Sequence, residues 1–272
     1  SITGDGTESS CRQWRRVWGW MWGRLRRVWE LKAVGVGYRR ELASWIGQRP
    51  PEVECLEITA EHVYELGHET LRTLRRSYPL FVHGLGLSLG TPGPLDERNL
   101  EKFHAVVDAA DPIWISEHVA FTRTEETDLG HLNPVWPSRQ ALDVLVRHAR
   151  QLSDRCARPL ILENITSHLR LHGELSEPEF LNRLCEQADC GLLLDVTNLF
   201  INSRNHRFDP IEWLHQINPE RIIQLHVVGY GRQDGRWVDQ HAAPIQQELF
   251  DLAAEVVAYA PVQAVIIERD TN

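Results

Sequence analysis

The sequence has no apolar run long enough to cross a bilayer; "GLLLDV" and "AVIIE" fall far short of the roughly 20 residues a spanning helix needs. Its N-terminus also lacks the uncharged core of a secretory signal, so a cytoplasmic protein is expected. Cysteines number five, an odd count, with no Cys-x-x-Cys spacing. That excludes a disulfide framework and a thiolate zinc site, and predicts reduced thiols. No Gly-x-Gly-x-x-Gly follows the first strand-like run, where "GVGYR" stands, so a dinucleotide loop has no support. Neither a nucleophile elbow nor a Ser-His-Asp order is present. Basic residues are scarce outside the first 32 positions, leaving 22 against 35 acidic ones in the rest of the chain. A body with a net charge of −13 is poorly suited to neutralising a phosphate backbone, which argues against a nucleic-acid partner.

What the sequence does hold is a core-forming composition, 42% hydrophobic over 272 residues, and a repeating alternation. Apolar runs at 33–38, 53–59, 79–87, 112–121, 159–166, 190–199, 221–229 and 264–270 read as strands. Between them lie helical patterns such as "HETLRTLRRSY", "LDVLVRHARQLSDRC", "EFLNRLCEQA" and "IQQELFDLAAEVVAYA". Eight strands alternating with helices predict an α/β fold, a (β/α)₈ TIM barrel in a single domain over residues 33–272. An open doubly wound sheet is the alternative. No helix follows the eighth run in this sequence, so a barrel without its closing helix is expected.

Residues 1–32 form an N-terminal extension: a disordered tail over 1–10, then a Trp- and Arg-rich amphipathic helix. Trp14, Trp18, Met21, Trp22, Leu25, Val28 and Trp29 share one face, and Arg12, Arg15, Arg16, Arg26 and Arg27 lie mostly elsewhere. Membrane-surface contact or peptide docking is one reading. The one favoured is packing over the barrel seam, or an extension foreign to the fold, because an apolar helix stripe usually packs.

The chemical signal lies at the strand ends. Glu57 or Glu61 closes the second run, His83 the third, His118 the fourth, Glu163 the fifth, Asp195 the sixth, His226 the seventh and Glu268 the eighth. In a barrel these ends converge on one mouth, where barrel active sites sit. "WVDQH" after the seventh run adds Asp239 and His241 from a loop over that mouth, and Asn198 stands three residues past Asp195. A single buried histidine is more often a hydrogen-bonded core residue than a ligand. Acids and histidines ending seven successive strands are another matter, because each buried charge costs several kcal/mol unless paired or bound to a cation. Nine ligands (His83, His118, Glu163, Asp195, Asn198, His226, Asp239, His241 and Glu268) suit two or three metal ions, and their nitrogen and oxygen donors suit iron, manganese or zinc. Glu61, Glu117, Asn164 and Asp270 are candidates to support them from behind. The remaining histidines, His148 and His206 among them, read as surface or structural, and "GLGLSLGTPG" as plain loop chemistry. Zinc in such a site would activate water, whereas iron with open positions would activate dioxygen.

The motifs "YPLFVHGLGLSLG", "WISEHVAF", "PLILENIT", "EPEFL", "CGLLLDVTNLFINSRNH", "HVVGY", "DQH" and "IERD", in this order, resemble the multinuclear non-heme iron-dependent oxidative enzymes over roughly residues 34–272. The resemblance implies a barrel holding two or three irons, with O₂ as co-substrate. It implies oxidation of a residue, often cysteine, in a ribosomally made precursor peptide delivered by a partner protein. It also implies that the nine residues above are the iron ligands. The chain departs from that family at Glu61-His62, where Glu-Asn is usual, and at "HVVGY", where an Ala-Gly pair is usual. Three-zinc apurinic endonucleases resemble the same ligand order but place histidine where Asn198 stands and need a basic face. Sugar isomerases and epimerases of the xylose-isomerase type use fewer ligands and leave the Asp-x-His idle. A metal-storing or peptide-binding scaffold is the non-enzymatic alternative.

Overall fold

In the computed structural model, residues 33–65, 67–124, 126–240 and 243–268 are described. The amphipathic helix expected before residue 33, and the positions of His241 and Asp270, lie outside them. Eight parallel strands close into a barrel: β1 (Ala33–Gly37), β2 (Cys55–Thr59), β3 (Leu80–His83), β4 (Ile115–His118), β5 (Leu160–Glu163), β6 (Gly191–Asp195), β7 (Ile222–Val227) and β8 (Ala264–Ile267). Each pairs with its neighbours in sequence, and β8 pairs with β1 through Ala33↔Ala264 to Val36↔Ile267. The open-sheet alternative is thereby excluded. From β2 to β7 every strand residue is buried, which explains the near-continuous apolar runs: one face lines the interior and the other lies under helices.

The longer helices are α1 (His68–Ser77), α2 (Glu97–Ala110), α3 (Arg139–Cys156), α4 (Glu177–Ala188), α5 (Val196–His206) and α6 (Gln247–Tyr259). Helix α2 shows the local logic. Leu100, Phe103, Val106, Val107 and Ala110 recur at helical spacing and are buried, while the Asp96 carboxylate accepts from the Asn99 amide and caps the start. Ser138 and Ser176 do the same for α3 and α4. Among the described residues, no helix is long and apolar enough to cross a membrane. Cys55, Cys156, Cys185 and Cys190 are all buried, and burial first of all pushes the Cys156 thiol up to about 12.

Close packing of β1 on β2 depends on one missing side chain. A Cβ at Gly35 would stand 2.2 Å from the Cys55 carbonyl oxygen and 2.5 Å from its sulfur. Gly35→Ala is therefore expected to destabilise the barrel by about 1–3 kcal/mol through overpacking. Thermal unfolding checks this, and an unchanged midpoint would contradict the contact.

Two hairpins rise beyond the strand ends: Ala120–Arg123 with Asp128–Pro134, and Tyr230–Gln233 with Arg236–Asp239. The second corrects the sequence reading, which put Asp239 on a loop. Asp234 and Gly235 hold φ of 51° and 78°, the paired positive values of a two-residue type I′ turn, and Tyr230 pairs with Asp239. The expected strand over 190–199 also ends earlier, at Asp195, where α5 begins.

Candidate metal centre

Register assembles the site. His118 is the partner of Glu163 across β4 and β5, and Asp195 the partner of His226 across β6 and β7. His83 pairs with Ser116 in the adjoining ladder, and Glu268 follows β8 directly. Each is the last or nearly the last residue of its strand, so its side chain reaches the mouth of the barrel instead of packing beneath it.

Glu163 is the hub. Its Oε2 lies 3.4 Å from His83 Nε2 and 3.3 Å from His118 Nε2, and its Oε1 lies 3.4 Å from His226 Nδ1. Glu268 Oε2 stands 3.5 Å from the same His226 Nδ1. None of these contacts is a hydrogen bond, and both Glu163 Oε2 and His226 Nδ1 are buried without a hydrogen-bond partner. The His118 ring places its Nδ1 3.1 Å from the Gly84 carbonyl, which can only accept, so Nδ1 carries a hydrogen and Nε2 is the nitrogen turned to Glu163. That nitrogen can hold a proton, or a metal cation in its place, between the ring and the carboxylate. Separations of 3.3–3.5 Å match ligand–ligand edges around a cation with bonds of about 2.1 Å. Among the described residues, three groups have ligand atoms mutually within 4.8 Å: His83, His118 and Glu163; Glu163, Asp195 and His226; and Glu57, His226 and Glu268.

Electrostatics agree with the geometry. Burial raises the Asp195 pKa, and the charges of Glu163 and Asp239 push it higher, well above the usual carboxylate range. Asp239 thus faces the cluster from its hairpin. Burial and neighbouring His118 hold His83 down to about 3, a neutral imidazole. At His118 burial opposes protonation, but the carboxylates of Glu163 and Glu117 outweigh it and bring the pKa to about 9. His226 also rises against its burial, through Glu57, Glu268 and Glu163. Burial would raise Glu163, yet the imidazoles of His118 and His226 lower it.

The surrounding residues fix these groups. The Asn164 side chain bridges to the Asp195 backbone, donating to its carbonyl at 3.1 Å and accepting from its amide at 2.8 Å. Asp195 Oδ1 in turn caps α5 at the Asn198 amide, 2.6 Å away. Asn198 lies in the first turn of α5; its Oδ1 accepts from the Thr166 hydroxyl and its Nδ2 donates to the Asn164 carbonyl at 3.1 Å. Glu117 points behind the site, accepting from the amides of Leu87 and of His118, and Glu61 accepts from the amides of Leu85 and Gly86. The glycine-rich loop after His83 therefore does more than the plain loop chemistry favoured from the sequence: its amides hold two of the protein's own carboxylates. His148 is structural as expected, with ring nitrogens 2.8 Å from the carbonyls of Leu89 and Gly93.

The hairpin bearing Asp239 is anchored to α5. Asn205 donates to the Trp237 carbonyl at 2.9 Å and accepts from its amide at 3.1 Å, as a neighbouring strand would. Phe200 stacks on Tyr230 with centroids 5.0 Å apart, and Tyr230 meets Trp237 edge-on at 4.9 Å.

Sequence reasoning did not single out Gln224 and Trp114. Gln224 precedes His226 by two residues on β7, which puts both on the same face, and that period was a usable signal. Glu57, left undecided against Glu61, is buried with Oε1 2.8 Å from His226 Nε2, whereas Glu61 sits on the short helix after β2.

A closed barrel whose strand ends carry the reactive side chains defines a TIM-barrel enzyme. Within that class, the chain belongs to the RiPP precursor modification enzymes of the MbnB/TglH/ChrH family, which match residues 33–272. It is similar to a UPF0276 protein of Shewanella sediminis, 34% identical over 251 residues and covering 89% of each chain. A UPF0276 protein of Bordetella pertussis is 33% identical over 248 residues, covering 88% of this chain and 86% of its own. Among solved structures, D-psicose 3-epimerase from Clostridium cellulolyticum superposes with a TM-score of 0.57 at 12% identity, over 88% of this chain and 85% of that one. The TTHB071 protein from Thermus thermophilus gives 0.55 at 21% identity, over 86% and 90%. At these identities the likeness is one of fold.

Proposed function

We propose that the protein is a multinuclear iron enzyme that uses O₂ to oxidise a residue, cysteine foremost, of a ribosomally synthesised precursor peptide. The supporting observation is the buried pair Glu163 Oε2 and His226 Nδ1, each facing potential ligands without a hydrogen bond. His83, His118, Glu163, Asp195, Asn198, His226, Asp239, His241 and Glu268 would hold two or three ions. Iron held there supplies redox chemistry with O₂ and a Lewis-acidic position for a substrate thiolate. The chain's own residues keep His83 neutral, orient His118 through Gly84 and fix Asp195 through Asn164. A cleft of about 510 Å³ borders Val119 and Asn164 beside the site and extends to Phe180, Trp213 and Gln216, room for a few residues of extended peptide. A separate protein that binds the precursor and presents it to this cleft completes the proposal.

The test is elemental analysis and Mössbauer spectroscopy on anaerobically purified, iron-57-enriched protein, followed by O₂ uptake with a precursor peptide. Two or three irons per chain and O₂ consumption that changes the peptide's mass are expected. Zinc that iron does not displace, with no O₂ consumption, would replace this reading with a hydrolytic one.

A further inference from the structure

Beneath the cluster, inside the barrel, four buried polar side chains form a line: Trp114, Gln224, Glu57 and His226. Trp114 Nε1 donates to Gln224 Oε1 at 2.7 Å, Gln224 Nε2 donates to Glu57 Oε2 at 2.5 Å, and Glu57 Oε1 lies 2.8 Å from His226 Nε2. The ends of an amide or an imidazole are ordinarily interchangeable. Here they are not, because the first member has one role only. An indole N–H can donate and never accept. Gln224 must therefore turn its oxygen toward Trp114 and its NH₂ toward Glu57. A carboxylate accepts on both oxygens, so His226 must offer Glu57 a hydrogen from Nε2. Gln224 Nε2 also lies 3.1 Å from His226 Nε2, but the Glu57 carboxylate is nearer to that nitrogen at 2.8 Å and can only accept, so the hydrogen between them belongs to Nε2. Trp114 itself is fixed by stacking on Phe81, with centroids 4.0 Å apart and planes at 12°.

We propose that Trp114, Gln224 and Glu57 are positioning residues that form a one-way hydrogen-bond relay, fixing hydrogen on Nε2 of His226 and directing the Nδ1 lone pair to the metal cluster. This rests on the metal-site reading above. It leaves Nδ1, between Glu163 and Glu268 and without a hydrogen-bond partner, as the nitrogen that would take a cation.

The relay makes an unusual prediction. In Glu57→Gln, Gln224 is still held by Trp114, so the new amide must turn its oxygen to Gln224 and its NH₂ to His226. That forces Nε2 to accept and moves the hydrogen to Nδ1, against the cluster. Adding Trp114→Phe removes the constraint. Gln224 can then reverse, the amide at 57 reverses with it, and the original His226 tautomer returns.

The experiment uses Zn²⁺ as a diamagnetic probe with histidine-¹⁵N-labelled full chain, the His226 signals being assigned by their loss in His226→Gln. Wild type should bind zinc through His226 Nδ1, with Nε2 protonated. Glu57→Gln should bind zinc roughly 10- to 100-fold more weakly, the range for losing a partner behind a metal ligand. The double variant should recover most of that loss while unfolding at a lower temperature than Glu57→Gln, because Gln224 then points its NH₂ at a phenyl ring. A merely structural role would make binding and stability fall together. Coordination through Nε2 overturns the relay, as does a double variant that binds no better than Glu57→Gln, the result expected if Glu57 were itself a ligand. Wild-type protein that binds no zinc overturns the metal site, and the relay with it.

Discussion

Glu163→Gln is expected to disrupt two candidate metal positions at once. Glu163 is common to the group with His83 and His118 and to the group with Asp195 and His226, and among the described residues no other belongs to both. Sites of four ligands bind zinc with about 10–16 kcal/mol, so one ligand accounts for about 3 kcal/mol, or roughly a hundredfold in affinity. A neutral amide also removes the charge that lets His118 keep its high pKa against burial. Metal analysis after reconstitution and a chelator wash should show the variant retaining at most one ion per chain, with circular dichroism unchanged. Wild-type metal content would remove Glu163 from the hub.

The second large effect is one of pH. Metal binding requires a neutral imidazole, and the metal-free protein holds a proton on His118 up to about pH 9. Below that value a cation must displace this proton, so affinity should fall roughly tenfold per pH unit for that group, about a hundredfold between pH 9 and 7. His226, raised in the same direction, steepens the dependence, while His83 at about 3 adds nothing above that value. Stability of the metal-free protein should run the other way. A folded-state pKa above the unfolded value of about 6.5 contributes stability fully below that pH, and loses it as pH rises through about 9. Zinc titrations and urea unfolding in chelator, both from pH 6 to 10, would check the two trends. Affinity independent of pH would mean that His118 is not a ligand.

These groups were legible in the sequence to different degrees, for physical reasons. His83, His118, Glu163 and Asp195 stand out because each ends an apolar run, and a polar residue there has no place in a core unless it reaches the mouth. Barrel closure then brings together residues far apart in sequence, so fold and ligand order could be read jointly. The hairpin under Asp239 was missed although "QDGR" carries its turn, because the strands beside it are short and polar, with no apolar alternation. Gln224 and Trp114 lie within mainly apolar runs, and their bonds depend on which strands face each other across the barrel interior. The use of loop amides for Glu61 and Glu117 was hidden for the same reason: the residues joined are about 25 to 30 positions apart.

The attachment of Asp239 has a kinetic consequence. The backbone of a strand-borne ligand is locked in the parallel ladders, whereas the hairpin is fastened to α5 by the two Asn205 hydrogen bonds and the Phe200–Tyr230–Trp237 stack. Of the described carriers of proposed ligands it is a hairpin outside the barrel, so its displacement would break these contacts and no barrel ladder. Loading and loss of ions would then pass by that side, at a rate set by the hairpin's fastening and not by the strength of the strand-borne ligands. In such a centre tight binding and rapid exchange would be governed by separate parts of the chain.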